Sequence, residues 1–189
     1  KAVRARDVAD FEKMYRIINN DPQNEILWVP AAAVKKIQKA RYAEMVLHEM
    51  WCVANLRIKS VEIQGDSAAV RFHNPESRIQ FEHPWPRPMV TKDGHNSAFY
   101  LTNAMELLDE PGEWYHDIES RKIYYYPRKG EKISKAVVPG IETLVWVEGT
   151  IDRPVKHIRF DNVTFQYTTW MRPSLQGHVP LQAGMYMTD

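Results

Sequence analysis

A group of acidic residues, Asp109, Glu110, Glu113 and Asp117, lies within one short segment and could take part in acid–base chemistry. Glycoside hydrolysis needs two carboxylates facing one bond, about 5 Å apart for retention of configuration and further apart for inversion. The same segment contains Glu110-Pro111-Gly112, which is typical of a β-turn because proline suits its second position and glycine its third. Asp109 would then accept hydrogen bonds from backbone N–H groups of the turn. The turn is the favoured interpretation, so no catalytic residue is assigned.

The other residue types that commonly carry chemistry show no catalytic or metal-binding pattern. The chain has seven histidines, and no two have the close spacing that zinc sites use. Ser97, Ser120 and Ser174 lack the glycine-flanked turn of a nucleophilic serine. Cys52 has apolar neighbours on both sides, which favours a buried small side chain over a reactive thiolate. The sequence therefore predicts no metal site and no cofactor. The histidines are His48, His73, His83, His95, His116, His157 and His178.

Sugar recognition is a further chemistry that the residues allow. Trp170, Arg172, His178 and Gln182 lie in a segment with the character of a long loop, and such loops often carry function on a rigid scaffold. Aromatic rings stack on the apolar faces of sugars, while the other three side chains exchange hydrogen bonds with hydroxyl groups. These four are the candidate substrate-binding residues. Packing of Trp170 against the rest of the protein, with Gln182 satisfying loop carbonyls, is the favoured alternative.

Composition excludes several classes of protein. The chain has 189 residues, 44% of them hydrophobic, which is enough for one globular core and too apolar for a disordered tail. A formal charge of +1 argues against a nucleic-acid binder. No apolar run is long enough to span a membrane, and a single cysteine excludes an internal disulfide. Neither terminus has the features of a natural chain end, so we expect a piece of a longer protein.

The first half of the chain reads as short strands, turns and helical segments. Residues 7–18 have helical spacing and predict a short helix or an irregular turn, and 30–37 predict a helix with proline in its first turn. Residues 43–54 include many that favour helix, but the alternating segments that follow them favour strand over most of 44–57. Residues 61–72 predict a hairpin that turns at Gln64-Gly65-Asp66. Residues 74–93 are polar and proline-rich, which predicts an ordered surface loop that Trp85 pins.

The second half is patterned more strongly. Residues 113–117 and 122–127 predict a hairpin, and alternation of its aromatic residues places some inward and others outward. Residues 144–147 predict a strand, and 155–165 predict two short apolar strands that meet at a bend at Asp161-Asn162. Short strands broken by bends are typical of a coil of a right-handed parallel β-helix. One coil does not establish a repeat.

An ordered series of short blocks resembles glycoside hydrolase family 141 and its relatives among right-handed parallel β-helix proteins. The similarity is dense from about residue 99 to 184 and weaker over 1–97. The blocks are residues 103–117, 123–131, 138–139, 142–145, 149–150, 154–158, 163–165, 169–174, Gly177 and 182–183.

The resemblance implies an all-β protein with minor helix, in which a β-rich module interrupts a β-helix. It places this inserted module at 1–132 and an incomplete β-helix coil segment at 133–189. It further implies a glycoside hydrolase that acts on fucosylated glycans or xylan, secreted or periplasmic, with its catalytic carboxylates in later coils outside this chain. The expected partners are a glycan substrate and the remainder of its own β-helix chain.

Two other functions remain open. The chain could be a non-catalytic carbohydrate-binding or structural module, or part of a polysaccharide lyase, since lyases of acidic polymers also use the β-helix. A lyase would be expected to need basic residues and often calcium near its cleft. Paired carboxylates in further coils would favour the hydrolase, a basic residue with calcium ligands the lyase, and neither the binding module.

Overall fold

A computed structural model of the chain describes residues 11–82, 86–169, 177–181 and 184–185. Its helices are α1 (Ala31–Val34) and α2 (Glu76–Glu82), with 3-10 turns at Phe11–Lys13, Lys35–Ile37 and Met105–Leu107. Its strands are β1 (Tyr15–Arg16), β2 (Asn19–Asp21), β3 (Ile26–Pro30), β4 (Glu44–His48), β5 (Val53–Gln64), β6 (Ser67–Phe72), β7 (Ala98–Thr102), β8 (Trp114–Asp117), β9 (Lys122–Tyr125), β10 (Pro180–Leu181) and β11 (Gly184–Met185). The all-β class with minor helix is confirmed.

The chain divides into two compact units. One unit consists of Lys1–Lys132 together with Arg172–Asp189, and the other is Ile133–Met171. The expected division into 1–132 and 133–189 stays a prediction. Among the described residues, none of the helices has the length and apolar character that crossing a bilayer requires.

The larger unit is built on a seven-stranded antiparallel sheet with the order β1-β7-β4-β5-β6-β3-β2. Alternate residues of these strands point to one face and form the core, which the segment around α1 also joins. Strand β5 has 12 residues and shifts register between Ile58 and Ser60. Its first half pairs with β4 and its second half with β6, so this one strand links the two halves of the sheet.

The strand prediction for residues 44–57 is confirmed, but the segment is two strands, β4 and β5, with a turn between them. Met45 and Leu47 are both fully buried and pair with Leu56 and Ala54 across the hairpin. Helix propensity in this segment is overridden because a two-residue period buries these side chains on the sheet face, and burial is worth more than propensity.

The hairpin predicted for residues 61–72 is confirmed. Gln64 pairs with Ser67, which leaves a two-residue loop, and Gly65 has φ +61°. A positive φ at the first loop position is the requirement of a type II′ turn, and glycine meets it without strain. The helix predicted after Pro30 is also confirmed, because α1 begins at the next residue.

Two predictions for the first half are corrected in part. In the described part of 7–18 a 3-10 turn at Phe11–Lys13 agrees with the irregular-turn alternative, but the short strand β1 follows it where helical spacing was expected. The stretch 74–93 contains α2, so it is not a loop throughout. The polar composition of this stretch favours a loop, but the residues of α2 have good helix propensity. Ile79 and Gln80 of this helix are also buried. Trp85 lies outside the described residues.

The smaller unit contains no strand within its described residues, 133–169. The strands expected at 144–147 and 155–165 are therefore absent, although the predicted bend is present at Asn162, where φ is +56°. The physical reason is that a β-strand exists only through hydrogen bonds to a neighbouring strand, and these segments pair with none among the described residues. The apolar side chains of the smaller unit are exposed, including Trp146 at 76% and Ile151 at 95%.

The central strand offers a direct test of the core. Leu56→Ala in β5 should lower the free energy of unfolding by about 2–5 kcal/mol, since Leu56 is fully buried and its truncation leaves a cavity. Val53→Ala in the same strand, where the side chain is 37% exposed, should cost less than about 1 kcal/mol. Urea denaturation of the two variants measures both values. Equal losses would contradict the assigned faces of β5.

Candidate functional site

Only one of the predicted sugar-binding residues can be placed. Trp170, Arg172 and Gln182 lie outside the described residues. His178 is half-buried, and its backbone exchanges two hydrogen bonds with Asn55 of β5, each 2.8 Å long. Residue 178 therefore takes part in sheet pairing beside the first half of β5, and a sugar-binding role for these four residues stays a prediction.

The acidic segment forms turns, as the sequence favoured. The Glu113 N–H donates to the Glu110 carbonyl, and Gly112 has φ +97°, which together define a type II turn. The backbone acceptor differs from the expected one: Glu113 Oε2, not Asp109, accepts the N–H groups of Asp109 and Glu110 at 2.9 and 3.0 Å. Asp109 Oδ2 instead pairs with Lys36 Nζ at 2.7 Å.

Asp117 also has a structural role. Its Oδ1 accepts the N–H groups of Glu119 and Ser120, and its Oδ2 accepts the Ser120 hydroxyl at 2.6 Å. These bonds close the turn between β8 and β9 and lower the pKa of the Asp117 carboxyl. The predicted hairpin at 113–127 is confirmed, with Tyr115 buried and Trp114 exposed on its opposite faces.

Cys52 lies in the turn between β4 and β5 and is half-buried. Its thiol donates to Glu49 Oε2 at 3.2 Å, and burial together with that carboxylate raises the thiol pKa to about 12. A thiol with so high a pKa is not a nucleophile at neutral pH, as the sequence indicated.

The described part of the larger unit contains a polar cleft of about 480 Å³ that no sequence motif predicted. A volume of that order is sufficient for a small ligand. Glu44 of β4 and Arg57 of β5 lie in its floor, and the rest of its lining comes from the segment before β4 and from the segments that follow β6, β7 and β8. We name it the polar cleft. Its lining residues are Arg41, Tyr42, Ala43, Glu44, Arg57, His73, Asn103, Ile118 and Glu119.

Two residues of neighbouring strands place charges in the floor. Glu44 of β4 stands directly opposite Arg57 of β5, and Glu44 is only 1% exposed. Asn103 follows β7 and donates from Nδ2 to the Tyr42 carbonyl at 3.0 Å and to Glu44 Oε1 at 3.4 Å. Asn103 has φ +61°, a left-handed conformation that asparagine tolerates better than most residues. Such backbone conformations cluster at functional sites.

Arg57 is held in place by Glu76 at the start of α2. Nε and Nη2 of Arg57 donate to the two carboxylate oxygens at 2.6 and 2.8 Å, and its backbone N–H donates to Oε1 at 3.1 Å. Glu76 is 1% exposed, so the pair is largely removed from water. The bidentate bond to Glu76 raises the pKa of Arg57, which therefore stays charged.

The outer wall carries a second charged group. Glu119 Oε1 accepts a hydrogen bond from Arg41 Nη1 and another from the Tyr42 hydroxyl, the latter at 3.0 Å. This bond to a carboxylate raises the pKa of Tyr42, so the phenol stays protonated. Arg41 and Glu119 are both exposed, which means that water screens their attraction.

Among the titratable side chains that line the cleft, His73 is the type whose ordinary pKa lies nearest to neutral pH. Burial lowers its pKa most, Arg57 and Lys59 lower it further, and Glu76 opposes them. A neutral imidazole offers one donor and one acceptor at pH 7. Among the described residues, no cluster of His, Cys, Asp and Glu side chains could hold a metal ion. The polar cleft can therefore exchange hydrogen bonds with a polar ligand, and nothing in its geometry identifies a nucleophile.

Comparison with known proteins gives two findings. A family model described as the GH141 insertion domain matches residues 1–128. A solved structure named "Glycoside hydrolase" is 71% identical with a TM-score of 0.91, and the match covers 100% of this chain and 33% of that protein. No curated protein matches the chain. The chain thus spans a third of the length of that solved protein, and the expected relationship to family 141 is confirmed for the inserted module.

Removal of the Glu76 carboxylate should destabilise the fold. Glu76→Ala leaves Arg57 without its buried partner, and a loss near the lower end of ~3–5 kcal/mol is expected because Arg57 is partly exposed. The control is Glu82→Ala, which breaks an exposed pair with Arg78 on the same helix and should cost less than about 1 kcal/mol. Chemical denaturation of both variants checks this, and similar losses would contradict a buried pair.

Acid should destabilise the protein partly through His73. The pKa of His73 lies below its ordinary value in the folded state, so the unfolded chain binds the proton more readily. The contribution of His73 to the free energy of unfolding is complete above its ordinary pKa and is lost as the pH falls towards its pKa in the folded protein. Burial also lowers the pKa values of His48 and His178, so these two histidines add to the loss of stability in acid. In His73→Gln, the free energy of unfolding should fall less between about pH 7.5 and about pH 5.5. Identical slopes would contradict the prediction.

Proposed function

This chain belongs to the GH141 insertion domain family, and we propose that it is the accessory module of a larger glycoside hydrolase of β-helix architecture. That enzyme acts on fucosylated glycans or xylan by acid–base hydrolysis, with a pair of catalytic carboxylates outside this chain. The protein is secreted or periplasmic, and the module's partner is the remainder of its own β-helix chain.

The observation that carries the proposal is that this chain matches only a third of the length of a glycoside hydrolase. At 71% identity the two proteins share one fold over this region, but two thirds of the longer protein have no counterpart here. A module that accounts for a third of an enzyme can contribute to substrate binding or to stability without holding the reacting groups. The missing length is sufficient for a substantial β-helix.

The state of the acidic residues supports the same conclusion. Glu113 Oε2 accepts two backbone N–H groups, Asp117 accepts two backbone N–H groups and the Ser120 hydroxyl, and Asp109 is paired with Lys36. A general acid needs a free approach to the leaving oxygen of its substrate. Carboxylates that close turns in this way have a structural role instead.

The smaller unit supports a β-helix continuation. On either side of the bend at Asn162, exposed apolar side chains alternate with polar ones, at Ile158 and Phe160 before it and at Val163 and Phe165 after it. Stacking against further coils would bury these side chains and satisfy the backbone groups of 144–147 and 155–165. We therefore propose residues 133–169 as coil segments that acquire their strands in the full-length protein.

A non-catalytic carbohydrate-binding module is the second candidate, and the polar cleft favours it. The cleft combines fixed donors and acceptors with the Tyr42 ring. A polysaccharide lyase is less well supported, because a lyase cleft for acidic polymers would be predominantly basic, whereas this one contains Glu44 and Glu119 beside its arginines.

The experiment that tests the proposal is reducing-sugar release from fucosylated glycans and xylans. It compares this chain with a longer chain that includes the coils proposed to follow residue 189. Activity is expected in the longer chain alone. Activity in the 189-residue chain that Glu113→Gln or Asp117→Asn abolishes would overturn the proposal. Binding without hydrolysis in both would favour the binding module.

A further inference from the structure

We propose that the polar cleft binds a neutral pyranose unit of a glycan chain. The proposal rests on the proposed function only for the statement that the ligand is a glycan. The choice of a neutral sugar over an acidic one, and the location of the subsite, come from the residues of the cleft.

The charge balance of the lining argues against an anionic ligand. Arg41 and Arg57 supply two positive charges, while Glu44 and Glu119 supply two negative ones. Glu76 adds a third carboxylate directly behind Arg57 and occupies its Nε and one Nη. A uronate or a phosphate would have to enter beside these carboxylates at a Coulombic cost. A neutral ligand meets no such penalty.

The hydrogen-bonding groups suit the hydroxyls of a sugar. Each hydroxyl both donates and accepts, so a ring of them needs donors and acceptors interleaved around it. The cleft offers the guanidinium of Arg41, the carboxylate of Glu119 and the neutral imidazole of His73. The two hydrogen bonds of Asn103 use its amide nitrogen, and the amide oxygen takes part in neither. Charged groups strengthen such bonds to hydroxyls.

Two side chains supply the apolar contact that a pyranose also requires. The ring of Tyr42 is 37% exposed and Ile118 is 50% exposed, and both line the cleft. The Tyr42 hydroxyl is fixed by Glu119 at 3.0 Å, which orients the ring. A fixed aromatic face loses little conformational entropy when a sugar stacks on it. A neutral sugar can stack on the exposed ring of Tyr42 and form hydrogen bonds with the adjacent pair of Arg41 and Glu119.

A second cleft shares part of its lining with the first. It has a volume of about 280 Å³ and shares Arg41, Tyr42 and Glu119 with the polar cleft. Tyr115 and Tyr124 of the β8–β9 hairpin contribute to its wall. The three shared residues therefore contact both volumes, so consecutive sugars of one glycan could occupy them in turn.

Saturation-transfer NMR on the full 189-residue chain tests the subsite. The neutral probes are L-fucose and xylobiose, and the acidic probe is D-glucuronate. At least one neutral probe should bind at millimolar concentration and more tightly than D-glucuronate. Arg41→Ala should weaken that binding about tenfold, because a charged hydrogen-bond donor is lost. Asn103→Gly should also weaken it, since glycine keeps the left-handed backbone while removing the amide.

Arg78→Ala is the matched control. It removes an exposed arginine that pairs with Glu82 on α2, away from the lining of the cleft, and should leave binding unchanged. Thermal melting confirms that each variant is folded. Tighter binding of D-glucuronate, absence of binding by both neutral probes, or equal effects of Arg41→Ala and Arg78→Ala would each overturn the subsite.

The longer chain separates this result from the proposed function. There, Arg41→Ala should raise KM for a polymeric substrate, because a sugar unit bound in the cleft loses a hydrogen-bond donor. Inactivity of the longer chain would refute the proposed function while leaving the binding result intact. Hydrolysis with unaltered binding in Arg41→Ala would refute the subsite only.

Discussion

The ion pair between Arg57 and Glu76 is the interaction on which the polar side of the sheet depends. The Glu76 carboxylate is almost completely buried, and an unpaired charge there would cost several kcal/mol to desolvate. It receives three hydrogen bonds from Arg57, which fixes β5 against the start of α2. Gly177 packs against the same side chain, where a Cβ would lie 2.6 Å from the Glu76 Cγ. Three distant segments thus meet at one carboxylate.

The long strand β5 determines where the polar cleft can form. Its register shift at Ile58 and Ser60 transfers the strand from β4 to β6, and a bulge of this kind increases local twist. Arg57 stands immediately before the shift, opposite Glu44. The face opposite the core is therefore polar at this point, and the loops after β7 and β8 surround it. The polar cleft therefore forms here without any loss of core packing.

Local features of the fold were predictable from the sequence. The turns at Gly65 and Gly112 and the hairpins beside them follow from glycine, proline and the two-residue alternation of apolar residues. Helix α2 was missed because proline and polar residues dominate its neighbourhood. The strands expected at 144–147 and 155–165 are absent from the described residues, because an apolar pattern does not supply the neighbouring strand with which a β-strand must pair.

The candidate site was not predictable because its residues form no motif. Arg41, His73 and Glu119 are far apart in the sequence and meet only through the strand order of the sheet. Each has an ordinary surface interpretation when it is considered alone. Asn103 carried the one available signal, an asparagine directly after a strand, which is compatible with a left-handed backbone. That signal identifies a conformation and says nothing about a cleft.

The pairing of Asn55 with His178 has a consequence for biosynthesis. The first half of β5 lacks its second neighbour until residue 178 has been made, and a ribosome adds about 5–20 residues per second. The open backbone edge therefore persists for a time on the order of ten seconds, during which another chain's strand could pair with it. The smaller unit is translated within that interval. The hydrogen bonds between Asn55 and His178 therefore form only after the smaller unit has been synthesised.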